Sequence, residues 1–401
     1  MGQDPLFLGH ISIGVVLIVI VKVLLAFVAL MVSVMLMIWF ERKLISDMQN
    51  RIGPNRAGPY GILQTLADGI KLFFKEDLIP DRSERFVFKL APYLTLIPAF
   101  LIFTVVPIGG TVHIFGHTVE LQVADPPMGI LFVLAMSSVA VYGTMLAGWS
   151  SGSKYPLIGS VRASAQMISY EAAMGLTVAT VVLVTGSLGT RDIVAAQAGS
   201  YFGIIPKWNL IRLGVVPFII FLIAVTAELN RPPFDLTEAE QELVGGFHTE
   251  YSSIRFALFF LAEFMNTITM SAVIVTLFLG GPDGPILFGP SFIWPIIWFL
   301  LKTGVFLFAY VWFRAALPRL RYDQLMDLGW KVLIPISLAW LLLVGAMQIS
   351  KVYGFVLFAV FIVAGAALLR AVAVGKESNE VDIVTTFRQE GPRRGRLGGD
   401  Q

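Results

Sequence analysis

Carboxylates in an apolar chain are the first sign of chemistry. The stretch AELNRPPFDLTEAEQELVGGFHTEY (227–251) carries Glu228, Arg231, Asp235, Glu238, Glu240, Glu242 and Glu250, in a chain only 14% charged. Two strongly apolar runs flank it. Thr237 with Glu240 three residues later is a capping-box pattern and Gly245-Gly246 is a natural stop, so the spacing predicts a short helix between them. Carboxylates in a first helical turn are favoured by the helix dipole, a structural reason for one of Glu238 and Glu240. Glu242 shares a face with Glu238 at i+4 and is repelled by it. Like charges so placed disfavour ionisation of one, which suits a group that accepts and releases protons. A solvated connector is the plain alternative. Against it stand Pro232-Pro233, which end the preceding helix, and a carboxylate, Glu228, at the membrane boundary.

Further charges lie inside apolar runs: Glu171, Glu263, Lys22 and Lys302. A charge in hydrocarbon costs several kcal/mol, so such residues face a polar interior and are functional candidates by default. For a single residue a structural ion pair explains as much, Lys302 with Glu263 for instance. A set of carboxylates running from the acidic stretch into the membrane favours a proton path. His113 and His117 stand at i, i+4 but have no clear third ligand. The chain has no cysteine, hence no disulfide, no thiolate for an iron–sulfur cluster and no Cys-based zinc site. Phosphate-loop, dinucleotide and H-E-x-x-H patterns are missing as well. Basic residues are dispersed among carboxylates, so nothing supports nucleic-acid binding.

The elements that must position these groups are membrane helices. Over 401 residues the chain is 56% hydrophobic with mean hydropathy +0.79, well above a soluble domain. Runs of about 20 apolar residues predict spans near 11–40, 91–110, 126–149, 162–187, 209–229, 254–280, 292–316, 330–350 and 353–374. Of the 29 lysines and arginines, 23 fall in loops on one side and four on the other. Positive charge accumulates on the cytoplasmic side, so the N-terminus is expected outside, with the acidic stretch and the C-terminal tail in the cytoplasm. An acidic N-terminus and a long first apolar run argue against a cleavable signal peptide. Ile62–Phe74 has the pattern of an amphipathic surface helix, preceded by a Gly/Pro-rich turn, RIGPNRAGPYG. The fold class is thus an all-α polytopic membrane protein: eight core transmembrane helices, a ninth C-terminal one, the surface helix and short cytoplasmic loop helices.

Four segments carry a resemblance: ERKLISDMQNRIGPNRAGPYGILQTLADGIKLFFKE (41–76), GSKYPLIGSVRASAQMISYE (152–171), residues 227–251, and FRAALPRLRYDQLMDLGWK (313–331). Together, and in this order, they resemble the H-subunit family of proton-pumping NADH:quinone oxidoreductase, respiratory complex I, in its bacterial form. The resemblance implies a protein of the inner (plasma) membrane at the junction with the peripheral arm, whose cytoplasmic loops form most of a quinone tunnel. Partner subunits of the membrane and peripheral arms would hold flavin and iron–sulfur clusters. This chain would bind no cofactor of its own, taking quinone as substrate among membrane lipids. Carried over by motif, Asp68, Glu171, Glu228, Glu238, Glu240 and Glu263 correspond to the proton path. Arg42, Gln49, Arg51, Phe234, Glu242 and Arg314 fall where the family lines or braces the tunnel.

Members of the family this chain resembles typically finish after eight spans, near Ser350 here, whereas this chain continues. The expected organisation is a quinone-tunnel and proton-path domain, 1–350, an added helix, 351–374, and a polar tail, 375–401, that reads as disordered. The core also resembles membrane subunits of energy-converting hydrogenases and formate-linked complexes. A stand-alone transporter would instead show internal repeats, and residues 1–200 and 201–401 show none.

Overall fold

In lipid every backbone amide and carbonyl must be satisfied within the protein, and a helix does this segment by segment. The structure, a computed structural model, describes residues 13–114, 117–201, 205–235, 244–286, 290–365 and 370. Two compact units divide the chain, Met1–Leu341 and Leu342–Gln401. Among the described residues, seven helices are long and apolar enough to cross a membrane: α1 (Ile13–Met48), α3 (Arg85–Thr104), α4 (Gly129–Ser150), α5 (Lys154–Thr185), α9 (Ser253–Phe278), α10 (Ile293–Ala316) and α11 (Tyr322–Ile349). Two shorter apolar helices, α8 (Val215–Glu228) and α12 (Lys351–Gly365), complete the nine apolar runs. The amphipathic helix α2 (Gln64–Phe74) and the short helices α6 (Thr190–Ala195) and α7 (Asn209–Arg212) lie between them. Among the described residues, strands are confined to two antiparallel hairpins, Thr111–Ile114 with His117–Glu120 and Ser200–Tyr201 with Ile205–Pro206.

Several boundaries differ from the hydropathy reading. Helix α1 continues eight residues past the expected end at 40, because Glu41 is buried in ion pairs and does not leave the protein. Helix α5 begins eight residues before the expected 162. Its Pro156 sits in the first turn, where a missing amide hydrogen is harmless, and Gly186 at φ 74° closes the other end with its N–H on the Val182 carbonyl. The expected span 209–229 is broken. Gly214 takes φ 82° between α7 and α8, and Trp340 covers it, donating its Nε1–H to the Leu213 carbonyl at 3.0 Å. The expected 330–350 span starts eight residues earlier, at Tyr322, and carries a π turn at Leu328–Leu333. Residues 366–369 and 371–374 of the expected ninth span, and the tail 375–401, lie outside the described residues.

Helix α9 is the centre of the main unit. Every residue from Thr267 to Phe278 is buried, as expected of a helix apolar all round. Phe264, Met265 and Ile268 of α9 pack on Leu30, Val34, Met37 and Ile38 of α1 and on Ala99 and Phe103 of α3. The opposite flank of α1, with Leu17, Ile20, Leu24, Leu25 and Val28, is exposed as a lipid-facing surface requires. Helix α2 likewise leaves Leu66, Ile70, Phe73 and Phe74 exposed.

Helices α3 and α4 touch closely at Gly143. A Cβ there would stand 2.6 Å from Thr95 Cγ2 and 2.8 Å from the Thr95 amide nitrogen. Gly175 of α5 has nothing within 4 Å of the same construction. Gly143→Ala is therefore expected to lower stability by about 1–3 kcal/mol through overpacking and Gly175→Ala to leave it near wild type. Thermal unfolding of the two variants in detergent checks the contrast.

Candidate functional site

The site grows from the early end of α8. Fourteen residues make a helix of about 21 Å, short of a bilayer core of about 30 Å, so the chain leaves helical form while still inside the protein. Gln166 of α5 meets the freed backbone: its Nε2 donates to the carbonyls of Ala227 at 2.7 Å and Phe234 at 3.0 Å. Leu320 N–H, after α10, donates to the Pro233 carbonyl at 3.0 Å, and Arg319 pairs with the buried Asp235 at 3.1 Å. This irregular backbone is satisfied by protein, the condition for its presence there.

The turn delivers Arg231 into the core, where it is 1% exposed and the largest fully buried side chain among the described residues. Its Nη1 donates to Glu41 Oε2 at 2.7 Å, its Nε stands 3.1 Å from Glu263 Oε1, and its guanidinium lies 4.5 Å over the Phe264 ring. Arg314 of α10 donates to the other Glu41 oxygen. Sequence reasoning missed Glu41 as a site residue and Arg231 as its centre. The available signal was an Arg beside Pro-Pro at the end of an apolar run, but Glu41 and Arg231 are 190 residues apart and Glu41 and Arg314 are 273 apart.

Three cavities are lined by members of this cluster, and a fourth adjoins them. The smallest, of about 90 Å³, holds Glu228, Glu263, Ser137, Asn266 and His248 in its lining, room for several waters. A cavity of about 690 Å³ is lined by Glu41, Arg42, Gln49, Arg51 and Arg314, with Ile38, Phe260 and Phe264 among its apolar walls. A third, of about 700 Å³, has Asp235, His248, Arg314 and Arg319. The fourth is an apolar cleft of about 1040 Å³ between α1, α2 and α9.

The sequence-derived residues distribute as follows. Glu228 is buried and accepts a hydrogen bond from Ser137, and Glu171 accepts one from the adjacent Ser138, so two neighbouring α4 hydroxyls serve carboxylates on α8 and α5. Glu263 joins Glu228 in the small cavity; Glu171 is not among the residues lining it. Arg42, Gln49, Arg51 and Arg314 come together in one cavity. Phe234 is elsewhere, buried against the Tyr170 ring at 5.5 Å. Asp68 pairs with Arg42 at 2.6 Å and both line the apolar cleft, away from the Glu228 cavity. Glu238, Glu240, Glu242 and the expected cytoplasmic helix lie outside the described residues.

Lys302 does not pair with Glu263. Its Nζ donates to the carbonyls of Leu279, Gly281 and Asp283 at 2.7, 3.0 and 2.7 Å, capping the end of α9. Glu263 lies 15 residues before the last residue of α9, Phe278, about 22 Å along the helix. The two histidines, His113 and His117, stand on the first hairpin, His113 beside Thr118 Oγ1 at 3.2 Å, and no group of three candidate metal ligands occurs among the described residues.

Three groups outside the spans have shifted acidity, Tyr251 among them, which burial raises to about 12. Burial alone would raise the Asp68 carboxyl, but hydrogen bonds from Arg42 and Gln64 outweigh it and hold the pKa below its ordinary value. Burial pushes His248 down to about 4, against the opposing pull of Asp235, so the ring is neutral at physiological pH.

Apolar helices long enough to cross a membrane, closed around ion pairs and polar cavities, define a multi-pass membrane protein with an ionisable interior. Residues 21–345 match the family described as NADH dehydrogenase. The chain is 50% identical over 355 residues to the NADH-quinone oxidoreductase H-subunit of Frankia alni, covering 87% of this chain and 75% of the relative. It is 51% identical over 337 residues to the protein of the same name from Frankia casuarinae, covering 83% and 73%. The chain belongs to the NADH dehydrogenase family, as a subunit of an oxidoreductase complex.

Two outcomes follow from the cluster and its neighbour. Removing one member of a buried pair costs about 3–5 kcal/mol, so Arg231→Met is expected to cut the amount of folded chain in membranes sharply. Arg231→Lys is expected to restore little, since one ammonium cannot reproduce the fork and ring contact. For Asp68 the folded-state pKa lies below the unfolded one. Its pairing therefore contributes fully above the ordinary aspartate range and is lost as pH falls through the lowered value, by about 0.2–1 kcal/mol for an exposed pair. Amide hydrogen exchange across α2 against pH reads this, and Asp68→Asn should abolish the dependence.

Proposed function

We propose that the chain is the membrane subunit of an NADH:quinone oxidoreductase that forms the quinone tunnel and couples quinone reduction to proton translocation through buried carboxylates. The observation that carries this reading is the position of Arg231. One guanidinium touches Glu41, which lines the 690 Å³ cavity, and Glu263, which lines the 90 Å³ cavity with Glu228. A change of charge in the larger cavity thus acts on a cation already shared with the smaller one.

The larger cavity suits a quinone head. Arg42, Arg51 and Arg314 are donors for its oxygens and for the charge that develops on reduction, while Ile38, Phe260 and Phe264 offer apolar walls. The adjoining apolar cleft, which shares Ile38, Arg42 and Phe260 with it, suits a hydrocarbon tail. Electrons come from NADH through flavin and iron–sulfur clusters of partner subunits, in keeping with a chain without cysteine. In this reading Glu263, Glu228 and Glu171 pass the charge change into the membrane arm, joined by Glu238, Glu240 and Glu242 of the acidic loop. The charge bias of the loops supports a cytoplasmic loop and tail and an outside N-terminus, in the inner membrane.

Glu228→Gln keeps the size and the hydrogen-bond acceptor but cannot carry a proton. In a fully assembled complex it is expected to lower quinone reductase activity and proton pumping together, on the order of tenfold. Measured in membrane vesicles with NADH and a short-chain quinone, wild-type rates and wild-type pumping would sink the coupling role.

A further inference from the structure

Phe260 lines all four cavities and Phe256 three of them. They stand one turn apart on α9 with ring centroids 6.2 Å apart and planes inclined by 18°. Both line the small Glu228–Glu263 cavity and the cavity at Asp235 and Arg319, the outer one in this reading. Among the described residues only one other lines both of these cavities, His248. Its ring meets Phe256 at 5.4 Å and Phe247 at 4.9 Å, edge to face in each case. Set among these phenyl rings, the imidazole holds an exchangeable proton that they lack.

We infer that His248 is the proton-transferring group in the partition between the outer cavity and the small Glu228–Glu263 cavity, with Phe256 and Phe260 closing the rest of the partition against water. The inference rests on the reading that Glu228 and Glu263 belong to the proton path. A neutral imidazole accepts a proton at one ring nitrogen and releases the proton of the other. The transfer takes one proton from water in the outer cavity and delivers one to water or a carboxylate in the inner cavity. Ring rotation or tautomer exchange restores the start, with no net change in bonds. The charged groups facing the two sides are Glu228 and Glu263 within, and Asp235, Arg314 and Arg319 without. Burial keeps the ring uncharged between transfers, so it carries protons without storing them. The ring packing also gives His248 a purely structural use, and the test must separate the two.

His248→Ala and His248→Gln would be made in the intact complex, with assembly checked on native gels and electron input checked with an artificial acceptor that bypasses quinone. Expected is a fall in coupled quinone reduction and pumping on the order of tenfold in both, with electron input unchanged. Added imidazole should restore the Ala variant in a concentration-dependent way and leave wild type unaffected. Full pumping in assembled His248→Gln, or a loss in His248→Ala that imidazole does not relieve, overturns the inference. Glu228→Gln run alongside keeps the two readings apart. If it loses coupling while the His248 variants keep theirs, only the present inference falls. If it keeps full coupling, the proton-path reading falls and takes this one with it.

Discussion

A guanidinium that is 1% exposed in the interior of an apolar protein is tolerable only when its charge is met on more than one side. Arg231 is met by Glu41 and Glu263, with the Phe264 ring over its face, and the surrounding architecture answers to that requirement. Helix α1 must run on to residue 41 with its last turns still inside the protein. Helix α8 must stop early enough for the chain to turn and drive Arg231 inward. Helix α9 must present Glu263 and Phe264 on one side while its later half is wholly buried. Glu41 then needs a second cation because it is itself desolvated, and Arg314 of α10 supplies it.

The same geometry explains why so many hydrogen bonds gather behind α8. Backbone that leaves a helix away from water has no solvent to fall back on. Gln166, on a helix packed against α8, spreads one amide over two carbonyls and the Asn230 side chain. On the other side, the chain after α10 pairs with Pro233 and Asp235. The segment bearing the cation is clamped by one helix and by the chain that follows another, both distant in sequence, which makes its position a property of the whole main unit.

Much of this was legible in the sequence, and the rest was hidden for identifiable reasons. The apolar runs, the surface helix and the unusual standing of Glu171, Glu228 and Glu263 follow from hydropathy and from the rarity of carboxylates in such runs. Helix ends did not follow, since a hydropathy window treats Glu41 as solvated when it is paired. Lys302 shows the reverse error. A buried lysine invites a carboxylate partner, yet this one is satisfied by three carbonyls at a helix end, which no spacing rule announces. Phe234, carried over as a residue that lines or braces the tunnel, packs against Tyr170. Pairings across 190 and 273 residues are beyond any local pattern.

Ser137 and Ser138 are consecutive on α4, so they project from the helix about a quarter-turn apart and reach carboxylates on two different helices. Because one rigid rod carries both hydroxyls, its rotation or sliding cannot release Glu228 while leaving Glu171 held. A rise of about 1.5 Å per residue means that even a slip of a single residue would disturb both contacts. The two acids are thereby set by one mechanical coordinate, so a movement of α4 would be felt at both in the same instant.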